Sequence, residues 1–232
     1  IFITAQSRTL ISTTNKTPAE PLGSTNERRA KYFSSVAHTM GQSLAAGSQD
    51  FSTEKWFVTL ANSTNRFQSS EDNRETEIVA VTRILHEIDS RIDANFLEID
   101  GDGRVSLKIE NQTRKLSELS SGFVSLLKLV QSIVSGYGYF TNETDIQNVK
   151  GIVLIDEIES HLHLSWQANI IPMLKNLFPN TTFFIATHSS VVLSQLSEGE
   201  AYQLKRDEPD TVRSYKIPAP NKAALADILK DV

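Results

Sequence analysis

Gly151-Ile152-Val153-Leu154-Ile155-Asp156-Glu157 is an apolar run that ends on two adjacent carboxylates, and it decides the fold class. A short, uninterrupted apolar segment of this kind reads as a buried β-strand. Thr181-Thr182-Phe183-Phe184-Ile185-Ala186 repeats the pattern and ends on Thr187-His188. Between the two, about Ser165 to Leu177 reads as a helix. Strand, helix, strand at these lengths is a right-handed crossover that joins neighbouring parallel strands. Strands so continuously apolar are expected to be covered on both faces. The fold class is therefore α/β, with a mainly parallel sheet flanked by helices.

Upstream of this unit, about Gly122 to Val134 reads as a helix opened by Leu119-Ser120-Ser121-Gly122. Phe96 to Asp100 and Val105 to Glu110 flank Gly101-Asp102-Gly103-Arg104, a β-hairpin with glycines supplying positive φ angles. The Asp100-Gly101-Asp102-Gly103 run imitates the start of a calcium loop but fails as one. Arg104 holds the fifth ligand position, Val105 stands where glycine is needed, and no helix precedes it. Ile78, Val81, Leu85, Ile88 and Ile92 recur at helical spacing and predict a helix over Asp72 to Ile92. A further helix is expected from about Glu27 to Leu44, and a loop over residues 12–30. Ile1-Phe2-Ile3 reads as a strand already under way, so residues upstream of it are expected to have been removed. Downstream, Tyr202 to Lys205 and Ser214 to Ile217 are expected to extend the sheet as a terminal hairpin, and Ala223 to Leu229 to be helical.

The 232 residues are long enough for a substantial core, and 39% hydrophobic with 22% charged residues is ordinary for a globular chain. The net charge of −5 argues against a surface coated with basic groups for nucleic acid. With no cysteine there is no disulfide, thiolate metal site or cysteine nucleophile, which fits a reducing cytoplasm. No apolar run approaches the roughly 20 residues that span a bilayer, because Ser125, Lys128, Gln131 and Ser132 interrupt Phe123 to Val134. N-x-[ST] triplets at Asn62, Asn111, Asn142 and Asn180 are attributed to chance.

Residues just past the carboxyl end of a buried strand emerge in the ligand crevice of an open α/β sheet, and Asp156 and Glu157 sit there. Asp156 could help hold a magnesium ion, and Glu157 could orient and deprotonate a water that attacks a γ-phosphorus. An acidic turn after an apolar strand is the alternative. His188, one helix and one strand later, also leaves a strand end and could hydrogen-bond the γ-phosphate; a structural histidine is the alternative. Ser120, Ser121 and Gly122 open a helix whose unpaired N–H groups and partial positive charge suit an anion, although an ordinary N-cap would look the same. The three motifs occur in order, with 34 residues from Gly122 to Asp156 and 32 from Asp156 to His188. The G-x-x-x-x-G-K-[ST] loop that cradles nucleotide phosphates does not occur in the sequence.

This ordered set resembles the ATP-binding-cassette type of ATPase. Leu119 to Gly122 resembles its signature motif, Ile152 to Glu157 its Walker B strand with the catalytic glutamate, and His188 its switch histidine. Glu157-Ile158-Glu159-Ser160-His161-Leu162-His163 and Ala186-Thr187-His188-Ser189 are similar to the D-E-x-E-x-H-L-H-P and T-H-S-P runs of the OLD-like and Septu-type ATPases of bacterial antiphage defence. The terminal Ala226 to Val232 is similar to a segment after the ATPase core in that group, and repair ATPases of the RecF and SMC kind are more distant look-alikes. Phe123-Val124, Leu164 and Ser190 depart from the pattern without removing a catalytic group.

The resemblance implies ATP and magnesium as cofactors, with Glu157 and His188 catalytic and Asp156 the magnesium residue. Ser120, Ser121 and Gly122 would act in trans on nucleotide held by another subunit, so the implied partner is a second copy or a higher oligomer. It places His161 and His163 at the dimer interface, where His-x-His zinc binding is the alternative and lacks a third ligand. Gln6 is the candidate magnesium-sensing glutamine, and Arg8 a candidate contact to phosphate or partner. Residues 1–115 are read as the remainder of the ATPase core with loop, helical insertion and hairpin, and residues 116–232 as the signature, Walker B and switch-histidine part. The implied function is ATP hydrolysis whose nucleotide-gated dimerisation controls a nuclease or other effector, with DNA or RNA as a further partner, in antiphage defence. A P-loop-less, non-catalytic DNA-organising or scaffold module is the competing reading.

Overall fold

A computed structural model describes residues 1–4, 8, 23–41, 53–63, 74–208, 211–218 and 220. The central sheet is parallel with strand order β1-β5-β6, formed by β1 (Phe2–Ile3), β5 (Gly151–Ile155) and β6 (Thr181–Ile185). Ile155 lies opposite Ile3 on one side and Ile185 on the other, so all three strands end at the same level. The crossover predicted between β5 and β6 is present but broken into α5 (Leu164–Gln167) and α6 (Ile170–Leu177). Pro172 explains the break, since it has no N–H to donate to Ala168 and its ring would strike that carbonyl. The unpaired N–H of Ile171 donates instead to Gln195 Oε1 at 3.1 Å.

The longest core helix, α4 (Ser121–Gly138), runs against the sheet in the direction opposite to the strands. At its C-terminal end a Cβ on Gly136 would come within 2.7 Å of the Ile1 side chain, and the Tyr137 hydroxyl lies 2.5 Å from Thr181 Oγ1 at the start of β6. At its N-terminal end Ser125 Oγ donates to Ser160 O, 3.2 Å away, beyond the end of β5. Eighteen residues at about 1.5 Å each span roughly 27 Å. That length carries α4 from the foot of the strands to their carboxyl edge. The polar residues that interrupt its apolar sequence, Ser125, Lys128 and Gln131, are buried, and Gln131 Oε1 accepts from Thr53 Oγ1 at 3.1 Å.

Against the outer side of α4 packs α3 (Glu75–Ile88), burying Ile78, Val81, Ile84 and Leu85. The predicted helix ends four residues early, because Asp89 turns the chain and Ile92 is buried as the first residue of a strand. That strand, β2 (Ile92–Ile99), pairs with β3 (Val105–Ile109) as the expected hairpin, although Gly103 is at φ +79° and Gly101 is not in the left-handed region. No sequence pattern announces β4 (Gln112–Lys115), which turns back on β3 through Glu110 and Asn111 at φ +50° and +62°. Its exposed polar residues carry no alternation to read. The helix α2 (Thr53–Ser63), which buries Phe57 and Leu60, was likewise unforeseen. The expected Glu27 helix is α1 (Thr25–Gly41), opened inside the anticipated loop by Ser24, whose N–H and hydroxyl both donate to Glu27 Oε2.

Two further expectations are corrected. The terminal hairpin exists as β7 (Tyr202–Glu208) and β8 (Thr211–Lys216), but among the described residues it pairs only with itself and does not extend the central sheet. The central sheet is covered on one face, where Val153 and Ile155 are buried, whereas Ile152, Leu154 and Phe184 on the other are 56%, 44% and 59% exposed. The strand sequence is written for two covered faces, and among the described residues only one cover is present. Residues 223–229 and most of the loop over 12–30 lie outside the described residues. No helix among the described residues is long and apolar enough to cross a membrane.

Candidate active site at the carboxyl edge of the sheet

The end of β5 is pinned from both sides. Asp156 N donates to Ile3 O at 2.9 Å, and Ala186 N donates to Ile155 O at 2.9 Å. Asp156 and Glu157 therefore leave the sheet beside Thr187 and His188, one strand spacing of about 4.8 Å away. The side chains of Asp156, Glu157 and His188 are exposed, as a group that must meet a ligand has to be. Glu157 adopts φ +46° and its Oε2 accepts from Ser160 Oγ at 2.8 Å. A non-glycine residue in this region carries strain of about 1 kcal/mol or more and needs its surroundings to hold it.

Much of that holding comes from Arg8. Its side chain is fully buried, and its two terminal nitrogens donate to the carbonyls of Ile158 at 3.0 Å, Asp156 at 3.1 Å and Glu157 at 2.5 Å. Burial pulls the guanidinium below its ordinary pKa, and the carboxylates of Glu159, Asp156 and Glu157 oppose that shift. The expected role of Arg8 as a phosphate or partner contact is thus corrected. It turns inward and fixes the backbone from which Asp156 and Glu157 project. Gln6 lies outside the described residues.

The second brace is Glu159, which the sequence marks only as a member of the Glu157 to His163 run. Its Oε1 accepts from the main-chain N–H of His188 and its Oε2 from Thr187 Oγ1, both at 2.6 Å. Ser189 Oγ, in turn, donates to Gln167 Oε1 at 2.9 Å, and Gln167 Nε2 donates to Leu162 O at 3.0 Å. The loop after β5 and the loop after β6 are therefore stitched together on both flanks of His188.

Ser120 and Ser121 are exposed at the start of α4, where Ser120 Oγ caps the helix by accepting from Phe123 N at 3.3 Å. A Cβ on Gly122 would meet His161 O at 3.6 Å and His163 N at 3.7 Å. The three residues thus lie at the same edge of the sheet, against the far end of the loop that carries Glu157. His161 is held at φ +64°, and His163 Nδ1 lies 3.0 Å from Ser165 Oγ, capping α5. Among the described residues no three His, Asp or Glu side chains are grouped to hold a metal ion.

With this geometry in place, the comparisons with known proteins are specific. The chain is 36% identical over 110 residues to the "Septu protein PtuA" of Bacillus mycoides (strain KBAB4), covering 47% of this chain and 15% of that protein. It is 33% identical over 117 residues to the "Retron Ec83 probable ATPase" of Escherichia coli, covering 50% of this chain and 21% of that protein. A solved structure reported as "Structural biochemistry of ATP-driven dimerization and DNA stimulated activation of SMC ATPases" aligns with a TM-score of 0.48 and 12% identity, over 68% of this chain and 91% of that chain. The matched region spans only 15% and 21% of the length of the two curated relatives. Residues 5–194 match the family described as "AAA domain, putative AbiEii toxin, Type IV TA system", and with most of its length inside that match this chain belongs to that family of ATPase-type AAA domains.

Proposed function

We propose that this chain is the signature, Walker B and switch-histidine portion of an ATP hydrolase whose nucleotide-gated dimerisation controls a nucleic-acid-directed effector in antiphage defence. The observation that carries this reading is the placement of Asp156, Glu157 and His188 on two adjacent, in-register strand ends, with α4 delivering Ser120 to Gly122 to the same edge. Magnesium-bound ATP would supply the electrophilic γ-phosphorus there, with the ion drawing charge off the phosphate oxygens. The donor set fits: Asp156 is an exposed carboxylate at a strand end, suited to a hard cation through its water shell.

Glu157 is the general base in this scheme. Ser160 orients its carboxylate through Oε2 and leaves Oε1 for the attacking water. His188 extends toward the γ-phosphate from the adjacent strand and hydrogen-bonds it. Ser120 and Ser121, with the free N–H groups of the first turn of α4, bind the γ-phosphate of nucleotide held by a second copy of the protein. The phosphate-cradling loop belongs to polypeptide beyond these residues. The open apolar face of Ile152, Leu154 and Phe184 favours that assignment, because it offers a second cover somewhere to pack.

The test uses the intact native protein. Glu157→Gln is expected to bind ATP with near-normal affinity and to hydrolyse it at least about 100-fold more slowly, the loss expected for a general base. Normal turnover in that variant would remove Glu157 from the chemistry.

A further inference from the structure

We infer that Glu159 is a positioning residue for hydrolysis, setting the switch histidine at a fixed offset from the general base; this rests on the ATPase reading above. Glu159 lies two residues after Glu157 on the same loop, yet its side chain turns away from that residue and crosses to the neighbouring strand end. Each carboxylate oxygen accepts one hydrogen bond, from Thr187 Oγ1 and from His188 N, both at 2.6 Å. Thr187 Oγ1 itself accepts from Ser189 N at 3.1 Å, so its proton is committed to Glu159. Two donors facing one side chain require an acceptor at both positions, which a carboxylate provides and an amide does not.

The geometry also closes on itself. Gln167 Nε2 donates to Leu162 O at 3.0 Å and to Glu159 O at 3.5 Å, while its Oε1 accepts from Ser189 Oγ. The residues flanking His188, Thr187 and Ser189, are therefore both tied to the loop that carries Glu157: one through the carboxylate of Glu159, the other through Gln167. His188 has its main chain fixed and its imidazole exposed. A group arranged this way cannot drift relative to Glu157 without breaking charge-assisted bonds. Displacement of a catalytic group by about 1 Å can cost roughly 100-fold in rate, so a brace of this kind acts on turnover while leaving nucleotide affinity alone.

The experiment is a double-mutant cycle in the intact protein, with kcat and KM for ATP measured separately. Glu159→Ala is expected to lower kcat by about 10- to 100-fold while changing KM by less than about threefold. Glu159→Gln keeps one of the two acceptors and is expected to recover part of that loss. In a His188→Ala background Glu159→Ala is expected to add little, because its effect passes through the imidazole. Hydrogen exchange gives a second readout: the His188 amide should lose protection in Glu159→Ala even where the protein remains folded. A Glu159→Ala enzyme within twofold of wild type, or one whose loss is the same with and without the His188 imidazole, overturns the role of Glu159 and leaves the ATPase reading standing. A wild-type protein that hydrolyses no ATP overturns both together.

Discussion

Replacing Arg8 with methionine keeps most of the apolar stem and removes every donor, which makes it the sharpest test of how the loop after β5 is held. Three main-chain carbonyls, those of Asp156, Glu157 and Ile158, lose their shared partner. The bond to Ile158 is buried, and a hydrogen bond from a charged donor at such a site is worth about 1.5 to 3 kcal/mol. The other two are partly accessible, so water can replace them and about 0.5 kcal/mol each is a fair allowance. The total is about 2.5 to 4 kcal/mol, concentrated on residues 156–160 rather than spread over the molecule. At about 1.4 kcal/mol per decade, the amides of Ile158 and Ser160 should exchange roughly 60- to 700-fold faster in the variant. Both are bonded in the folded loop, to Ala186 O and Glu157 O respectively. Mass-resolved hydrogen exchange on the intact protein reads this directly, with peptides from β2 and β3 as internal controls. Unchanged exchange over residues 156–160 would refute the clamp, and a uniform increase everywhere would show Arg8 to be a general core residue instead.

Two more predictions concern the buried charge cluster where α3 meets the end of α4. Burial pushes the Glu77 carboxyl up to about 7, with Arg74 and Arg28 opposing the shift. Because the folded state then binds the proton more tightly than the unfolded chain, the contribution of this group is fully present below pH 4.5 and is lost as pH rises to about 7. The loss is about 3.5 kcal/mol at 1.4 kcal/mol per unit. Denaturation from pH 5 to 8 should show wild type losing stability relative to Glu77→Gln across that window; parallel profiles would place the titration elsewhere. Gly138→Ala would put a Cβ 2.2 Å from Glu77 Oε1, which Arg74 pins through a 2.5 Å bond from its Nε. The usual helix gain of about 1 kcal/mol for alanine is then outweighed by about 1 to 3 kcal/mol of overpacking, so the thermal midpoint should fall. A rise would mean that Glu77 moves freely.

What the sequence showed and what it hid divide along a physical line. The strand Gly151–Ile155 could be read because its whole content is local: an apolar run, then two acids. The same holds for Ser120, whose capping bond spans three residues. The ends of α5 and α6 were missed although Pro172 was in view, because the apolar period continues across the break. Arg8 and Glu159 were beyond reach for a different reason. Arg8 meets a carbonyl 150 positions away, and Glu159 meets donors 28 and 29 positions away, and only the sheet order β1-β5-β6 brings those groups together. Charged residues that support a site by bonding backbone carry no periodicity. The hint available was a carboxylate two places after Glu157 and two places before His161, in a segment too short to be a solvated helix face.

The same sheet order accounts for the conformation of Glu157. In an unbroken parallel ladder, Ala186 N donates to Ile155 O and the next donor to Ala186 O is the residue two places further on, Glu157. Here the first bond is made at 2.9 Å, but the donor to Ala186 O is Ile158, at 3.3 Å. One extra residue has been accommodated between the two bonds, and that residue is Glu157 at φ +46°. An insertion of this type bends the strand and re-aims the side chain at the bulge. Arg8 spans the insertion from beneath, donating to the carbonyls of Asp156, Glu157 and Ile158. Ile158 drops into the core with no exposure, which anchors the far side of the bulge. The strain at Glu157, the buried arginine and the buried isoleucine are therefore one device. A chain that placed this carboxylate by an ordinary strand residue would need neither the left-handed backbone nor a charge buried beneath it, and the carboxylate would follow the pleat instead of the line set by the loop.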